Sequence, residues 1–322
     1  MRDAKMHHGN GAVTAGKRQH GQFFTSENPF TAPPFEHWAR SAALDGSDVL
    51  EPFAGSNSLI DHLEGMDYKM RSTSYDISPA DDRLRVQLRD TLTDFPTGFD
   101  ICVTNPPWLA KNSATARGLD FPSCGYDDLY KFALELCLHN CAWVAALVPE
   151  SFIRAGVFHD RLTDFVSMPR RLFDDTGHPT GLALFAPEAT DDVVVWSNDK
   201  KVGSLAALEL FRPHPRNDRP TVRFNDPNGN VGLIAMDNTE KETIRYCPVE
   251  ELAGYTVKHS SRFITKVQYD GKVRIDRWNR FLAKFRQDTY DVLMTCYRGV
   301  RKDGMFRRRL DWNLARGIMH NA

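Results

Sequence analysis

The strongest chemical signal in the sequence is a four-residue motif that combines a side-chain amide, two prolines and an indole. It comprises Asn105, Pro106, Pro107 and Trp108 and directly follows an apolar run. Consecutive prolines exclude helix and fix the backbone, so the Asn105 and Pro106 carbonyls point in set directions. These oxygens and the Asn105 amide can accept hydrogen bonds from an aromatic amino group, while the indole face stacks on the ring. The motif predicts a site for an amino-substituted heterocycle; the structural alternative is a rigid loop with a packed tryptophan.

A second signal is a turn that lets a ligand approach the backbone. Residues 49–59 pass from an apolar run through Glu51 and the small residues Ala54 and Gly55 into a helical pattern. The amide groups at the start of such a helix favour anionic or polar ligands. Asn57 stands where a dinucleotide fingerprint has its third glycine, and Asn tolerates the left-handed backbone that the turn needs. A plain tight turn is the alternative.

Acidic residues at successive strand ends favour the ligand-binding interpretation. Asp76 ends the next predicted strand, twenty-one residues after Gly55, where doubly wound folds place the carboxylate that accepts ribose hydroxyls. Asp90 follows the third predicted strand. Because the carboxyl ends of parallel strands share one edge of the sheet, Glu51, Asp76 and Asp90 predict a nucleoside pocket at that edge.

The elements that must position these residues alternate between strand and helix. Apolar strand patterns cover 48–53, 71–77, 85–88, 99–107, 141–149, 181–187 and 192–197, and helical patterns cover 58–66 and 127–140. Strands of this kind, without a solvent-facing side, are typical of a parallel sheet covered by helices on both faces. The fold class predicted is therefore α/β, with a doubly wound, mostly parallel sheet.

The texture of the sequence changes after about residue 200. Three prolines fall within 211–220, which suits a linker, and residues 226–230 predict a turn in a hairpin region that extends to about Val267. A helical pattern then starts near Ile275 and continues to Tyr297. We predict a flexible leader at 1–19, a catalytic domain at 20–200 and a smaller C-terminal α+β domain at 215–322.

The nearly equal numbers of basic and acidic residues exclude a uniformly basic protein, but the two charges are distributed unequally along the chain. The chain of 322 residues has 41 Lys and Arg against 42 Asp and Glu, whereas from Lys258 onward sixteen Lys and Arg face six Asp and Glu. An acidic body with a basic end suits a polyanionic partner. The longest apolar stretch, 142–148, is far short of the ~20 residues that span a bilayer, so no membrane role is expected. Six cysteines without a CxxC pair indicate free thiols in the cytoplasm and no metal site.

These motifs, in this order, resemble the gamma group of amino-methylating DNA methyltransferases. The resemblance covers residues 20–187 and includes the segment Gln22 to Thr25, the segment Glu51 to Ser56, and the motif at 105–108. It implies a Rossmann-like, S-adenosylmethionine-binding sheet followed by a target-recognition domain. The cofactor-binding residues that it implies are Phe23, Phe24, Thr25, Glu51, Pro52, Phe53, Ala54, Gly55, Asp76, Ile77 and Asp90.

The resemblance also assigns roles within that set. Phe23, Phe24 and Thr25 would contact the cofactor, Thr25 through the methionine carboxylate, and Glu51 with the turn would hold the methionine moiety. Asp76 and Ile77 would bind ribose and adenine, and Asp90 the adenine amino group. Two departures from the family pattern are Asn57, in place of the usual second glycine of the turn, and Trp108, where Tyr or Phe is commoner.

The mechanism expected from this resemblance is methyl transfer to the amino group of a flipped-out base. Hydrogen bonds from that amino group to Asn105 and the Pro106 carbonyl would favour tetrahedral nitrogen and stabilise its developing positive charge. The base would leave the duplex and stack on Trp108, with Phe173 as the aromatic on its other face. Adenine is preferred to cytosine because family members that methylate cytosine N4 usually carry Ser where Asn105 stands.

The basic end supplies separate evidence for a nucleic-acid substrate. Residues 297–312 interleave aromatic residues with Arg298, Arg301, Lys302, Arg307, Arg308 and Arg309, which we predict to bind double-stranded DNA. A solvated basic end is the alternative.

The function predicted is site-specific N6-adenine methylation of DNA. We expect a monomer in the cytoplasm of a bacterial or phage-infected cell, and a separately encoded restriction enzyme is a candidate partner. Alternatives are a cytosine-N4 enzyme, an enzyme acting on RNA or protein, and a catalytically silent DNA-binding module.

Overall fold

The computed structural model describes residues 27–80, 85–173, 177–258 and 260–322, and the chain divides into two compact units. The first unit consists of Met1–Val148, Leu172–Thr176 and Leu182–Glu188, and the second of Pro149–Arg171, Gly177–Gly181 and Ala189–Ala322. The sequence-based domains, 20–200 and 215–322, stay a prediction because this division follows packing rather than position along the chain. Within the described ranges, every helix is too short or too polar to cross a membrane.

Strands and helices alternate through most of the chain. The strands are β1 (Asp48–Glu51), β2 (Arg71–Asp76), β3 (Val86–Leu88), β4 (Ile101–Thr104), β5 (Trp143–Pro149), β6 (Leu162–Met168), β7 (Thr180–Phe185), β8 (Val194–Ser197), β9 (Lys200–Ser204), β10 (Val222–Phe224), β11 (Val231–Ile234), β12 (Arg245–Pro248), β13 (Ile264–Tyr269), β14 (Thr295–Val300) and β15 (Phe306–Arg309). The α-helices are α1 (Pro33–Ser41), α2 (Ser58–Gly65), α3 (Lys111–Arg117), α4 (Leu129–Asn140), α5 (Leu205–Leu210), α6 (Ile275–Thr289) and α7 (Trp312–Asn321). Short 3-10 turns cover Pro29–Thr31, Glu150–Arg154 and Val249–Gly254.

The first unit is organised around a parallel sheet with the strand order β3-β2-β1-β4-β5, followed by β7. β1 pairs in parallel with β2 on one side and β4 on the other, and β5 continues the parallel pairing from β4. All four residues of β4 and all six of β7 are buried, which explains their uninterrupted apolar sequences. The prediction of a mostly parallel α/β sheet is confirmed. The strand order reverses between β1 and β4, and this switch point is where such sheets bind ligands.

The second unit combines three smaller sets of strands with helices. β6 pairs in parallel with β8, which pairs with β9 antiparallel. A separate antiparallel sheet has the order β10-β13-β11-β12, and β14 with β15 forms a hairpin. This small antiparallel sheet and helices α6 and α7 match the smaller α+β portion expected toward the C-terminus.

Two details of the C-terminal prediction were wrong. The turn at 226–230 does not close a hairpin, because β13 lies between β10 and β11 and pairs with both. Gly229 is required there, since a Cβ at this position would lie 2.7 Å from the Val267 backbone nitrogen. Helix α6 ends at Thr289 instead of continuing to Tyr297, because Tyr290 and Asp291 adopt left-handed backbone, with φ of 49° and 60°.

Candidate functional site

A buried carboxyl group lies at the switch point of the first unit's sheet. Glu51 ends β1 and is 1% exposed, and among the described residues no group forms a hydrogen bond of standard geometry with either of its carboxyl oxygens. Burial raises the pKa of Glu51 well above its usual value and the nearby Asp76 charge adds to the rise. The Thr104 hydroxyl and the backbone amides of Phe53 and Asn105 favour the ionised form, but less strongly than burial opposes it. A buried carboxyl without a partner is costly, so this group suits a cationic ligand.

The turn after β1 adopts the conformation that the small residues and Asn57 predict. Gly55 and Asn57 have φ of 53° and 66°, both in the left-handed region, and the Asn57 amide donates to the Ala54 carbonyl at 2.7 Å. The prediction that Asn57 tolerates this backbone in place of glycine is confirmed. Asn57 is 1% exposed, and neither the oxygen nor the nitrogen of its side-chain amide has a hydrogen-bond partner among the residues that the structure describes.

Asp76 fixes this turn from the end of β2. One oxygen of its carboxylate accepts a hydrogen bond from the Gly55 amide at 2.8 Å, and the other accepts one from the Ser78 amide at 2.7 Å. The adjacent Ile77 is 53% exposed, an unusual position for a large apolar side chain at a polar strand edge. The structure therefore brings Asp76 to the turn, as the spacing from Gly55 predicted.

The loop after β3 reaches the same turn. The Thr91 hydroxyl is buried and donates to the Pro52 carbonyl at 2.8 Å, and Asp90 accepts a hydrogen bond from the Leu92 amide at 3.1 Å. The sequence pointed to Asp90 but missed Thr91, because a single threonine in a loop has no distinguishing pattern.

The 105–108 motif continues directly from β4 and is anchored by α4. Pro106 is buried, Asn105 and Trp108 are half-buried, and the Leu109 amide donates to the carboxylate of Asp128 at 3.1 Å. Burial raises the pKa of Asp128 to about 6, more than the Leu109 and Tyr130 amides lower it, and the neighbouring Asp127 adds to the rise. Asp128 was missed by the sequence analysis, which read it as an ordinary residue at a helix start.

Phe173 packs on Trp108 but not in the predicted manner. The ring of Phe173 is 1% exposed, and its centroid lies 5.5 Å from that of Trp108 with the planes at 86°. A base enclosed between two rings requires parallel planes with a base-wide gap between them. The prediction that Phe173 covers the other face of the base is therefore wrong for this arrangement, in which it supports the indole edge to face.

Three predicted cofactor contacts, Phe23, Phe24 and Thr25, lie outside the described residues. The remaining predicted residues of the cofactor and base sites, from Glu51 to Phe173, fall within the first unit. Of these, the structure brings together the turn, Asp76, the loop containing Asp90 and the end of β4.

The predicted DNA-binding residues lie in β14, in β15 and in the loop between them, and they differ in exposure. Arg308 is 3% exposed and donates to the carboxylate of Glu150 at 2.9 Å, and Arg301 is 7% exposed and pairs with Asp237 and Asp303. Their assignment as phosphate contacts is wrong, because a buried arginine that already neutralises a carboxylate has no surface to offer.

The other four cations differ in what they contact. Lys302 is exposed but pairs with Glu240 at 2.6 Å, and Arg307 donates to the Asp237 carbonyl at 2.8 Å. Arg298 is exposed and Arg309 half-buried, and neither forms a salt bridge within the described part of the chain. Of the six, Arg298, Arg307 and Arg309 therefore have no salt bridge within the described residues, since the carbonyl that Arg307 contacts is uncharged.

Comparison with known proteins gives similarities of fold but no family. No family model and no curated protein matches the chain. A type I restriction-modification system methyltransferase subunit from Streptococcus thermophilus is 18% identical over 55% of this chain and 47% of its own, with a TM-score of 0.38. This chain thus spans less than half of that protein's length.

Two further solved structures have similarly low sequence identity and TM-score to this chain. The human methyltransferase 10 domain containing protein is 9% identical over 51% of this chain and 86% of its own, with a TM-score of 0.34. An S-adenosylmethionine-dependent methyltransferase from Clostridium acetobutylicum is 10% identical over 86% of this chain and 89% of its own, with a TM-score of 0.25. Similarity at this level does not establish function, which has to be argued from the site.

Proposed function

We propose that this protein is an S-adenosylmethionine-dependent DNA methyltransferase that modifies the N6 amino group of a flipped-out adenine at specific sites. The observation that carries the proposal is the position of Glu51 and the 105–108 motif at the ends of two paired parallel strands, β1 and β4. Glu51 is a buried carboxyl without a standard hydrogen bond among the described residues. The 105–108 motif is a rigid set of carbonyl and amide oxygens beside an indole. A cationic methyl donor and an amino-substituted base suit these two groups respectively.

The cofactor fits the unsatisfied polar groups around the turn. S-adenosylmethionine carries an ammonium and a sulfonium charge, and either would compensate the buried Glu51 carboxylate. The side-chain amide of Asn57 is also buried without a hydrogen-bond partner, so it can accept from or donate to a polar ligand. Ile77 offers an exposed apolar surface for an adenine ring. Bound there, the cofactor would supply an electrophilic methyl group.

The residues of the motif would prepare the base amine to accept that methyl group. The Asn105 side-chain oxygen and the Pro106 carbonyl would accept the two amino protons, which favours a tetrahedral nitrogen with an available lone pair. The nitrogen would form its bond to the methyl carbon as the carbon–sulfur bond of the cofactor breaks, leaving a neutral thioether, and the surplus proton on the nitrogen would pass to water. The same oxygens would stabilise the positive charge on the nitrogen until that proton has left.

Trp108 would hold the flipped-out base by stacking, and its orientation depends on Phe173. Because the two rings meet edge to face, their contact restrains the orientation of the indole plane. A base within a duplex is inaccessible, so transfer requires extrusion from the helix. Cytosine N4 remains the second candidate acceptor, since it also has an amino group conjugated to a ring.

The decisive experiment is incubation of the full chain with methyl-labelled S-adenosylmethionine and duplex DNA, followed by nucleoside analysis and methylation-aware sequencing. We expect N6-methyladenine in a defined sequence context. N4-methylcytosine would correct the acceptor, while label found only in RNA or protein, or no transfer to any acceptor, would overturn the proposal.

Asn105→Ala tests the role of the amide. We expect transfer to fall by at least about 100-fold, because removing one donor or acceptor that stabilises the transition state typically has that effect. Cofactor affinity, measured by calorimetry, should change much less. Asn228→Ala, at an exposed turn, is the matched control and should retain full activity. Full turnover in Asn105→Ala would remove this residue from the reaction.

A further inference from the structure

The β14–β15 hairpin in the second unit presents two faces of opposite character. Cys296 and Arg308 are register partners, and both contact the buried carboxylate of Glu150. Thr295 and Arg309 are the preceding register pair, so strand alternation places Tyr297, Arg307 and Arg309 on the opposite face. The inner face, with Cys296 and Arg308, contacts the buried Glu150. The outer face combines the two arginines with the aromatic ring of Tyr297.

Positive charge accumulates around Arg309 on this outer face. Burial lowers the pKa of Arg309, Asp311 opposes that change, and the like charges of Arg262 and Arg154 lower the pKa further. None of Arg154, Arg262 and Arg309 forms a salt bridge within the residues that the structure describes. The three like charges repel one another, Asp311 offsets part of this repulsion, and a bound anion would relieve the rest.

Two aromatic side chains lie beside these cations. The ring of Phe263 is 40% exposed and meets the ring of Tyr297 edge to face, with centroids 5.4 Å apart. The guanidinium of Arg307 covers Tyr297 at 5.5 Å from the ring centroid. Arg262 immediately precedes Phe263 in the chain.

The backbone at Phe263 is held in place. Its carbonyl accepts a hydrogen bond from the Ala235 amide at 2.6 Å, and its amide donates to the Ser261 hydroxyl at 3.2 Å. The exposed ring is therefore carried on a segment tied to the antiparallel sheet, and an exposed ring that is fixed in this way loses little entropy when it stacks on a ligand.

We propose that this surface, the aromatic-arginine face, binds a nucleic-acid strand with unpaired bases, and we define it by Arg154, Arg262, Phe263, Tyr297, Arg307 and Arg309. Arg154, Arg262 and Arg309 contact phosphates, while a base stacks on Phe263. An acidic peptide would satisfy the arginines but not the ring, and a regular duplex keeps its base faces inside the stack. This activity goes beyond the proposed methyl transfer, because strand binding here requires neither the cofactor nor the 105–108 motif.

The first test is fluorescence anisotropy of the full chain, without cofactor, using a labelled 16-nucleotide oligo-dT, the matching oligo-U and a blunt duplex of equal length. We expect both single strands to bind more tightly than the duplex, and their ratio will distinguish DNA from RNA. An abasic strand of the same length should bind about 5-fold or more weakly than oligo-dT, because it retains the phosphates but offers no base to stack.

Variants of the ring separate stacking from charge. Phe263→Ala should weaken oligo-dT binding about 5- to 100-fold, while Phe263→Trp should retain it, since one stacked base is worth about 1–3 kcal/mol. The control is Phe211→Ala, because Phe211 is also an exposed phenylalanine, at 48%. Circular dichroism melting of each variant establishes that it is folded.

Variants of the arginines test the phosphate contacts. Arg262→Gln and Arg309→Gln should each weaken binding and reduce the slope of log K against log salt by about 0.7. Lys302→Gln is the control, since this lysine already pairs with Glu240 and its removal should change the slope less.

The proposal is overturned if the duplex or the abasic strand binds as tightly as oligo-dT, or if Phe263→Ala changes nothing. Competition by polyglutamate at equal charge would likewise point to an acidic protein partner and overturn it. These outcomes are independent of the methyl-transfer assay. A chain that methylates DNA but shows no preference for unpaired strands refutes only this inference, and the reverse result refutes only the proposed function.

Discussion

Burial of the Glu51 carboxyl disfavours its ionised form in the folded protein, and for the same reason it favours binding of a cationic ligand. This carboxyl is buried at the end of β1, forms no hydrogen bond of standard geometry within the described part of the chain and has a raised pKa. A raised carboxyl pKa means that ionisation is less favourable in the folded than in the unfolded state, so the contribution to stability is largest below the unfolded pKa and is lost as pH rises. As the pH rises, the cost of ionising this buried group destabilises the empty protein, and a bound cation would offset that cost.

Replacing Glu51 by Gln should therefore separate stability from binding. We expect Glu51→Gln to raise the free energy of unfolding of the ligand-free protein at pH 7, because a neutral amide of similar shape is less costly to bury. Affinity for S-adenosylmethionine should fall by about 10-fold or more, as for removal of a buried charge partner. Urea unfolding and calorimetric titration measure the two effects. Lower stability together with unchanged affinity would contradict the assignment of Glu51 to a cation.

At the scale of elements, the connection between β4 and α4 holds the 105–108 motif through Asp128. The carboxyl of Asp128 accepts from the Leu109 amide, the Leu109 carbonyl accepts from the Leu129 amide at 3.0 Å, and the pKa of Asp128 is raised to about 6. Because the pKa is raised, the stability that Asp128 contributes is present below about pH 4 and is lost as the pH rises through 6.

Asp128→Asn should reduce this pH dependence. The variant keeps an oxygen acceptor for the Leu109 amide but carries no charge, so its free energy of unfolding should vary less between pH 4 and pH 7 than that of the natural chain. Asp128→Ala removes the acceptor as well, and we expect a loss of about 1–3 kcal/mol at every pH. Urea midpoints at unit pH intervals provide the comparison. Identical pH profiles for the natural chain and Asp128→Asn would show that another group titrates.

Arg308 and Arg309, which are consecutive in β15, should respond differently to the same substitution. Arg308→Leu leaves Glu150 buried without its cation and should cost about 3–5 kcal/mol of stability. Arg309→Leu, one residue further and on the other face, should cost less than about 1 kcal/mol but weaken nucleic-acid binding. Thermal unfolding with strand-binding assays tests both. Equal stability losses would contradict the two-faced hairpin.

This hairpin also illustrates what the sequence can predict. The strands β1 to β5, β7 and β8, the acidic residues at strand ends and the left-handed Asn57 follow from local residue preferences and were anticipated, whereas β6, β9, β14 and β15 were not. The run of arginines at 307–309 was read as one basic surface, because nothing local identifies Glu150 as the partner of Arg308 from 158 residues away. The pairing of β10 with β13 and the role of Asp128 were missed for the same reason: each depends on residues distant in the chain.

For the whole molecule, the number of basic residues in the C-terminal part overstates how many cations can contact a polyanion. From Lys258 onward sixteen Lys and Arg face six acidic residues. Several of these cations are committed internally: Arg286 pairs with Asp237 and Asp291, Arg301 with Asp237, and Arg308 with Glu150. Such pairs organise the second unit but release no counterions when a nucleic acid binds, since they neutralise protein carboxylates.

The salt dependence of strand binding should reflect the unpaired cations alone. Three phosphate contacts, from Arg154, Arg262 and Arg309, predict a slope of about −2 for log K against log salt, at about −0.7 for each contact on a single strand. Participation of most of the sixteen basic residues would give a slope several times steeper. Titrations of oligo-dT between low and moderate salt distinguish the two. A slope near −2 that falls to about −1.4 in Arg262→Gln would assign the affinity to these few residues, because each lost phosphate contact removes about 0.7 from the slope. A steep slope unaffected by this variant would place the partner on another surface.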